Sequence, residues 1–226
     1  MRSISIRVCM IICVLVLWSV VARANPTPPT GFLPDGTTIV ITQGPLSYGN
    51  GGLFYISTGN GLNFVSFCIE ELETFYPGRT YYANLSADAN HGGTQTTDPV
   101  GAMTGLLYRT YMNGLLGTYV PGFNNSAAAN GALQNAIWYI EEEVTALQSG
   151  LATDLYSWAL ATDTYHLSAS TDHAWEYGVW AINVWENSNL TGNSQDQLFL
   201  VPEPAMPILL GIGMGVIALL PMRMKA

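Results

Sequence analysis

Phe67-Cys68-Ile69-Glu70 ends an alternating run, Asn63-Phe64-Val65-Ser66-Phe67-Cys68-Ile69-Glu70, whose period of two predicts a β-strand from Asn63 to Ile69. Alternation puts Phe64, Ser66, Cys68 and Glu70 on one face and Val65, Phe67 and Ile69 on the other. Cys68 therefore points away from the more apolar side. The chain has two further cysteines, Cys9 and Cys13, both inside an N-terminal apolar segment. If that segment is removed on export, Cys68 becomes a lone thiol with no partner for an internal disulfide.

Both ends read as targeting segments. Arg2 and Arg7 give a positive start, Val8 to Val21 an apolar centre, and Ala22-Arg23-Ala24 a small-x-small junction. These predict a signal peptide over residues 1–24. Residues 25–36, with Pro26, Pro28, Pro29 and Pro34, read as an extended Pro-rich leader. At the far end Val201-Pro202-Glu203-Pro204 precedes an uncharged apolar run, Ala205 to Met222, and the basic tail Arg223-Met224-Lys225. That run is just long enough to span a bilayer, and the tail predicts a cytoplasmic end with the domain outside.

Charge narrows the function classes. Residues 25–200 hold two arginines, Arg79 and Arg109, no lysine and fifteen carboxylates, a formal balance of −13. No basic footprint for nucleic acid is present in that span. His91, His166 and His173 are far apart, no Cys-x-x-Cys spacing occurs, and Glu141-Glu142-Glu143 reads as a solvated helix face. We therefore expect no metal, no cofactor and no enzymatic turnover; a Cys68–His protease pair lacks any local signature.

The middle of the chain reads β, then α, then β. Strands are predicted over Thr37 to Thr42, Leu53 to Ser57 and Asn63 to Ile69, with a turn at Gly59-Asn60-Gly61 and a short strand or packed loop near Tyr81-Tyr82. Asp98-Pro99 reads as a helix start with apolar spacing to Gly114. A second helix is expected from Ser126, with Leu133, Ala136, Ile137, Ile140, Val144 and Leu147 as its stripe, and a third over Leu151 to Thr162. Trp175 to Trp185 and Gln195 to Val201 read as late strands. The predicted class is α+β: a sheet or barrel of early and late strands over residues 37–200, with an inserted helical lobe at about 98–165.

Two resemblances add to this reading. Val-Pro-Glu-Pro, apolar helix and basic tail over residues 201–226 resemble the PEP-CTERM sorting signal, with Pro202, Glu203 and Pro204 as its motif. That implies processing by an exosortase, transient anchoring in the inner membrane through the C-terminal helix, and sorting to the cell surface or extracellular matrix of a bacterium with an outer membrane. Phe67-Cys68-Ile69-Glu70 resembles the cysteine motif of bacterial Cys-Gln thioester domains. Leu133-Gln134-Asn135-Ala136-Ile137-Trp138 resembles their Thr-Gln-x-Ala-Ile-Trp motif, with Leu133 where Thr is usual, and Gln197-Leu198-Phe199-Leu200 is similar to the strand that brings the bond-forming Gln to the Cys.

The resemblance implies a thioester between Cys68 and Gln197, with Gln195 and Gln134 as alternative acyl donors. Glu70, Gln134 and Trp138 would be supporting residues, with Phe67, Trp138, Trp180 and Phe199 walling the site. An amine-bearing partner, a protein lysine or an amino sugar, would attach covalently. The other reading is a non-covalent structural or adhesive surface domain in which Cys68 is packed core or forms an intermolecular disulfide.

Overall fold

The computed structural model describes residues 27–29, 31–44, 51–90, 98–164 and 174–202. The expected signal peptide, nearly all of the sorting segment, and the three histidines lie outside them. Among the described residues no helix is long and apolar enough to cross a membrane.

Among the described residues eight strands and four α-helices follow the predicted β, α, β order. The strands are β1 Thr37–Gln43, β2 Phe54–Thr58, β3 Asn63–Ser66, β4 Thr80–Ser86, β5 Asp88–Ala89, β6 Asp98–Pro99, β7 Val179–Asn187 and β8 Thr191–Leu200; the helices are α1 Ala102–Met112, α2 Leu116–Tyr119, α3 Ala127–Ile140 and α4 Leu151–Thr162. Six strands form an antiparallel sheet in the order β3-β2-β1-β4-β7-β8, and β5 pairs with β6. Early strands meet late ones at β4 and β7, where Asn84 opposes Asn183. The seven-residue β4, read from sequence as a short strand or loop, is thus central.

The two faces of the sheet bury different cores. Phe67, Ile69, Val179, Ala181 and Leu198 pack with Leu107, Tyr108, Leu133 and Ile137 of the helical lobe. The opposite face gathers Ile39, Ile41, Phe54, Ile56, Tyr81, Ala83, Trp180, Ile182, Val184 and Phe199 into a second cluster, and Cys68 belongs to it. The expected alternation over 63–69 holds, but Cys68 does not face a polar side. It faces a second apolar core shared by both edges of the sheet, where Phe64 of β3 meets Phe199 of β8 with ring centroids 4.8 Å apart.

The sheet does not close into a barrel. Its edge strands β3 and β8 share no ladder; they are bridged past the end of β3 by Phe67–Ile69, through Leu198 N to Phe67 O (3.1 Å) and Ile69 N to Asp196 O (3.0 Å). The chain leaves β2 at Ser66 and changes partner, so the predicted strand through Ile69 is split in two.

Other sequence expectations shift for identifiable reasons. Ser126 caps α3 as expected, its Oγ accepting from Ala129 N (3.2 Å). Asp98-Pro99, however, is strand β6 and not a helix start; Gly101 is the cap residue of α1. Its buried N–H is taken by the Glu141 carboxylate, 3.2 Å to each oxygen, and Thr104 Oγ1 donates to the same group. Glu141, read as solvated, is buried at the end of α3 for this purpose. Trp175 lies in a 3-10 turn, Ala174–Tyr177, and β7 starts only at Val179.

Candidate functional site

Cys68 and Gln197 form an antiparallel bridge. The flanking bonds, Ile69 N to Asp196 O and Leu198 N to Phe67 O, make it a non-hydrogen-bonded pair, the kind in which opposed side chains come closest. Gln197 Nε2 lies 3.4 Å from Cys68 Sγ, and both residues are 0% exposed. Gln197 Oε1 is buried without a partner, while its nitrogen also reaches Gln195 O at 3.4 Å.

In this register Cys68 presents its own N–H and C=O away from β8, and Gln134 takes both. Gln134 Oε1 accepts from Cys68 N (3.1 Å) and from Gly52 N (3.1 Å), and Gln134 Nε2 donates to Cys68 O (2.8 Å). One side-chain amide therefore stands in for a neighbouring strand. Gln134 is committed to backbone and does not face the thiol. Leu133, where the resembled motif has Thr, is fully buried in the helical core. Trp138, one helical turn after Gln134, packs against the cluster containing Cys68, with its indole Nε1 buried and unpartnered. Gly51 lies against this pair: a Cβ there would fall 2.5 Å from Trp138 Cη2 and 2.7 Å from Gln134 Cγ. Of the expected wall, Trp138, Trp180 and Phe199 lie on the thiol's side, whereas Phe67 faces the helical lobe.

Gln195 occupies the next rung. Its Nε2 donates to Glu70 O (2.8 Å). Simple alternation does not separate Gln195 from Gln197, but the register does: Ser194 opposes Val184 and Gln197 opposes Ile182, so β8 carries one extra residue at a bulge. The bulge frees Val184 N, which donates to Asp196 Oδ1 (2.7 Å), and Asn90 N donates to Asp196 Oδ2 (2.6 Å). The Asn183 amide is satisfied with Nδ2 donating to Asp88 O (3.0 Å) and Asp196 Oδ2 (3.3 Å). Asp196 went unnoticed in sequence, although a carboxylate before Leu198-Phe199-Leu200 was its signal.

Acidic groups crowd the end of this bridge. Asp196 N donates to Glu70 Oε2 (2.9 Å), and Glu70 Oε1 has no partner. Burial, then the charges of Asp196 and Glu73, pushes Glu70 well above the usual carboxylate range; burial does the same to Asp196 against the pull of its backbone donors. Asp196 is the better supplied with donors, from Asn90 N and Val184 N, and these oppose the effect of its burial. Burial, with Glu143 nearby, pushes Glu73 up to about 7, and burial with Glu143, Glu142 and Asp88 pushes Asp98 up to about 6. Burial also raises the Cys68 thiol strongly, opposed by the Gln197 contact and reinforced by the charge of Glu70.

These shifts fix a pH dependence. A carboxyl with a raised folded pKa binds its proton more tightly in the native state, so its contribution is present below the unfolded value and is lost as pH rises through the folded one. The window runs from 4.5 to about 7 for Glu73 and from 3.8 to about 6 for Asp98. Thermal unfolding should show a higher midpoint at pH 5 than at pH 8; an equal or lower midpoint at pH 5 would refute the assignment.

Among the described residues no group of His, Cys, Asp or Glu is arranged to hold a metal ion. The arrangement offers a buried thiol against a carboxamide, with backbone and aromatic side chains around both. No protein-family model matches the chain. No curated protein matches it either. Among solved structures, the chain is similar to the N-terminal thioester domain of fibronectin-binding protein SfbI from Streptococcus pyogenes, at 13% identity and a TM-score of 0.42, over 79% of this chain and 99% of that one.

Proposed function

We propose that this domain forms a thioester between Cys68 and Gln197 and uses it to attach covalently to an amine-bearing partner. The observation that carries the reading is the 3.4 Å contact of Cys68 Sγ with the Gln197 side-chain amide inside a shared rung. The sulfur adds to the carbonyl carbon of the Gln197 side chain, the thiol proton passes to the amide nitrogen, and the C–N bond breaks. Ammonia leaves and the acyl–sulfur bond remains. Burial disfavours a free thiolate here, which suits direct transfer of the proton to the departing nitrogen over its loss to solvent.

A primary amine then attacks the acyl carbon and displaces the sulfur, becoming an amide of the Gln197 side chain. This is a single-use bond and not a turnover reaction, and it needs no cofactor. Export, sorting through Pro202, Glu203 and Pro204 by an exosortase, and display at the cell surface or in the matrix complete the proposal on the resemblance of the sequence ends. The setting it describes is adhesion or biofilm attachment, with protein lysines or amino sugars as partners and nucleic acid disfavoured by charge.

Full burial and the raised thiol pKa also fit the other reading, a non-covalent surface domain with Cys68 as packed core. Intact-mass measurement of the purified chain separates the two. The thioester reading expects a mass lower by one ammonia, restored to the full calculated value in Cys68→Ala; a full mass with one titratable thiol in the unsubstituted chain would rule it out.

A further inference from the structure

The Cys68–Gln197 pair is closed to solvent, so a partner amine needs a route to it. One cavity meets the next rung of the same bridge. It has a volume of about 260 Å³ and is lined by Phe54, Glu71, Glu73, Phe75 and Gln195 among others. Gln195 is bonded to Glu70 O, and both lie two residues from the reactive pair, about 7 Å along the strands. Phe54 belongs to the same cluster as Cys68 and meets Phe75 edge-on at 5.1 Å. A larger cavity of about 580 Å³ in the helical lobe is lined by residues of neither strand.

The charged residues lining the smaller cavity, Glu71 and Glu73, are both acidic, beside neutral Gln43, Thr74 and Gln195. Glu71 is exposed at the rim and Glu73 is half-buried, with its Oε2 shielded and without a partner. Glu70 and Asp196 lie behind them, and Glu143 lies beside Glu73, which holds a proton with an affinity near neutrality. Arg79, near this end of the sheet, pairs with Glu186 at 3.3 Å. Aromatic walls leading to carboxylates suit the alkyl stem and charged head of a lysine side chain.

Building on the thioester reading, we infer that this cavity is the entrance for an alkylammonium nucleophile, with Glu73 as the group that takes its proton. The ammonium gives one proton to the Glu73 carboxylate and becomes a neutral amine. Its lone pair attacks the acyl carbon, the carbon–sulfur bond breaks, and the second nitrogen proton passes to sulfur, leaving an amide and the Cys68 thiol. Glu73 then returns its proton to water. The partner is thus a protein lysine in preference to an uncharged nucleophile.

The test compares adduct formation by the full chain with methylamine, a cation at pH 7.5, and hydroxylamine, neutral at that pH, followed by intact mass. Glu73→Gln should keep the ammonia deficit, lower the methylamine rate roughly tenfold or more, and leave the hydroxylamine rate unchanged. Glu71→Gln, at the exposed rim, should lower the same ratio by a smaller factor and carries the test if Glu73→Gln fails to fold. An unchanged ratio in the folded variants, with the deficit present, overturns the entrance alone. An unsubstituted chain of full mass overturns it together with the thioester.

Discussion

Gln134→Ala should destabilise the domain by about 3–6 kcal/mol, read as a lower denaturant midpoint with little change in slope. Three hydrogen bonds end on this one buried amide: two from Cys68 and Gly52 N–H groups and one to Cys68 O. Alanine leaves all three backbone groups buried and unsatisfied, each at about 1–3 kcal/mol, with partial relaxation reducing the sum. Gln134→Glu should also fail, because it keeps an acceptor but loses the donor to Cys68 O and buries a charge. The same substitution should prevent loss of ammonia, since the rung that presents Cys68 is held on one edge by Gln134. A near-normal midpoint for Gln134→Ala would mean that the clamp is not what fixes Cys68.

The second large effect concerns opening of the proposed thioester. Cys68 and Gln197 are separated by 129 positions, so a covalent link between them constrains a long loop of the unfolded chain. In the chain-entropy description a cross-link of that span stabilises by about 5 kcal/mol. Methylamine treatment should therefore lower the unfolding free energy by about that amount. Gln197→Ala should lie near the opened form and take no adduct. Gln195→Ala should still take one, losing only the bond to Glu70 O at about 1–3 kcal/mol. An adduct retained in Gln197→Ala and lost in Gln195→Ala would transfer the acyl role to Gln195.

What could be read from sequence was local. The alternation of 63–69, the Ser126 cap and the helix from Leu151 to Thr162 all depend on residues a few positions apart, and they appear where the pattern puts them. Failures came where a distant group outcompeted a local signal. Asp98-Pro99 had the chemistry of a helix start, but Glu141, about forty residues away, caps α1 instead. The choice between Gln195 and Gln197 turned on the register of Phe67–Ile69 against β8 and on a bulge facing β7, and no window of sequence contains both strands. Cys68 itself was readable as unusual; what its neighbours do to it was not.

The position of Gln197 near the end of β8 has a mechanical consequence. In the proposed adduct, tension between a partner held on the Gln197 side chain and the chain beyond Pro202 would run through Leu198 to Val201 alone. β1 to β7 and the four helices lie off that line. Pulling would peel the end of β8 from β7, yet no unfolding of the rest would let go of the load, because in that adduct every link from partner to Pro202 is a covalent bond. A grip made by a folded surface breaks when the fold breaks; the proposed one would outlast it.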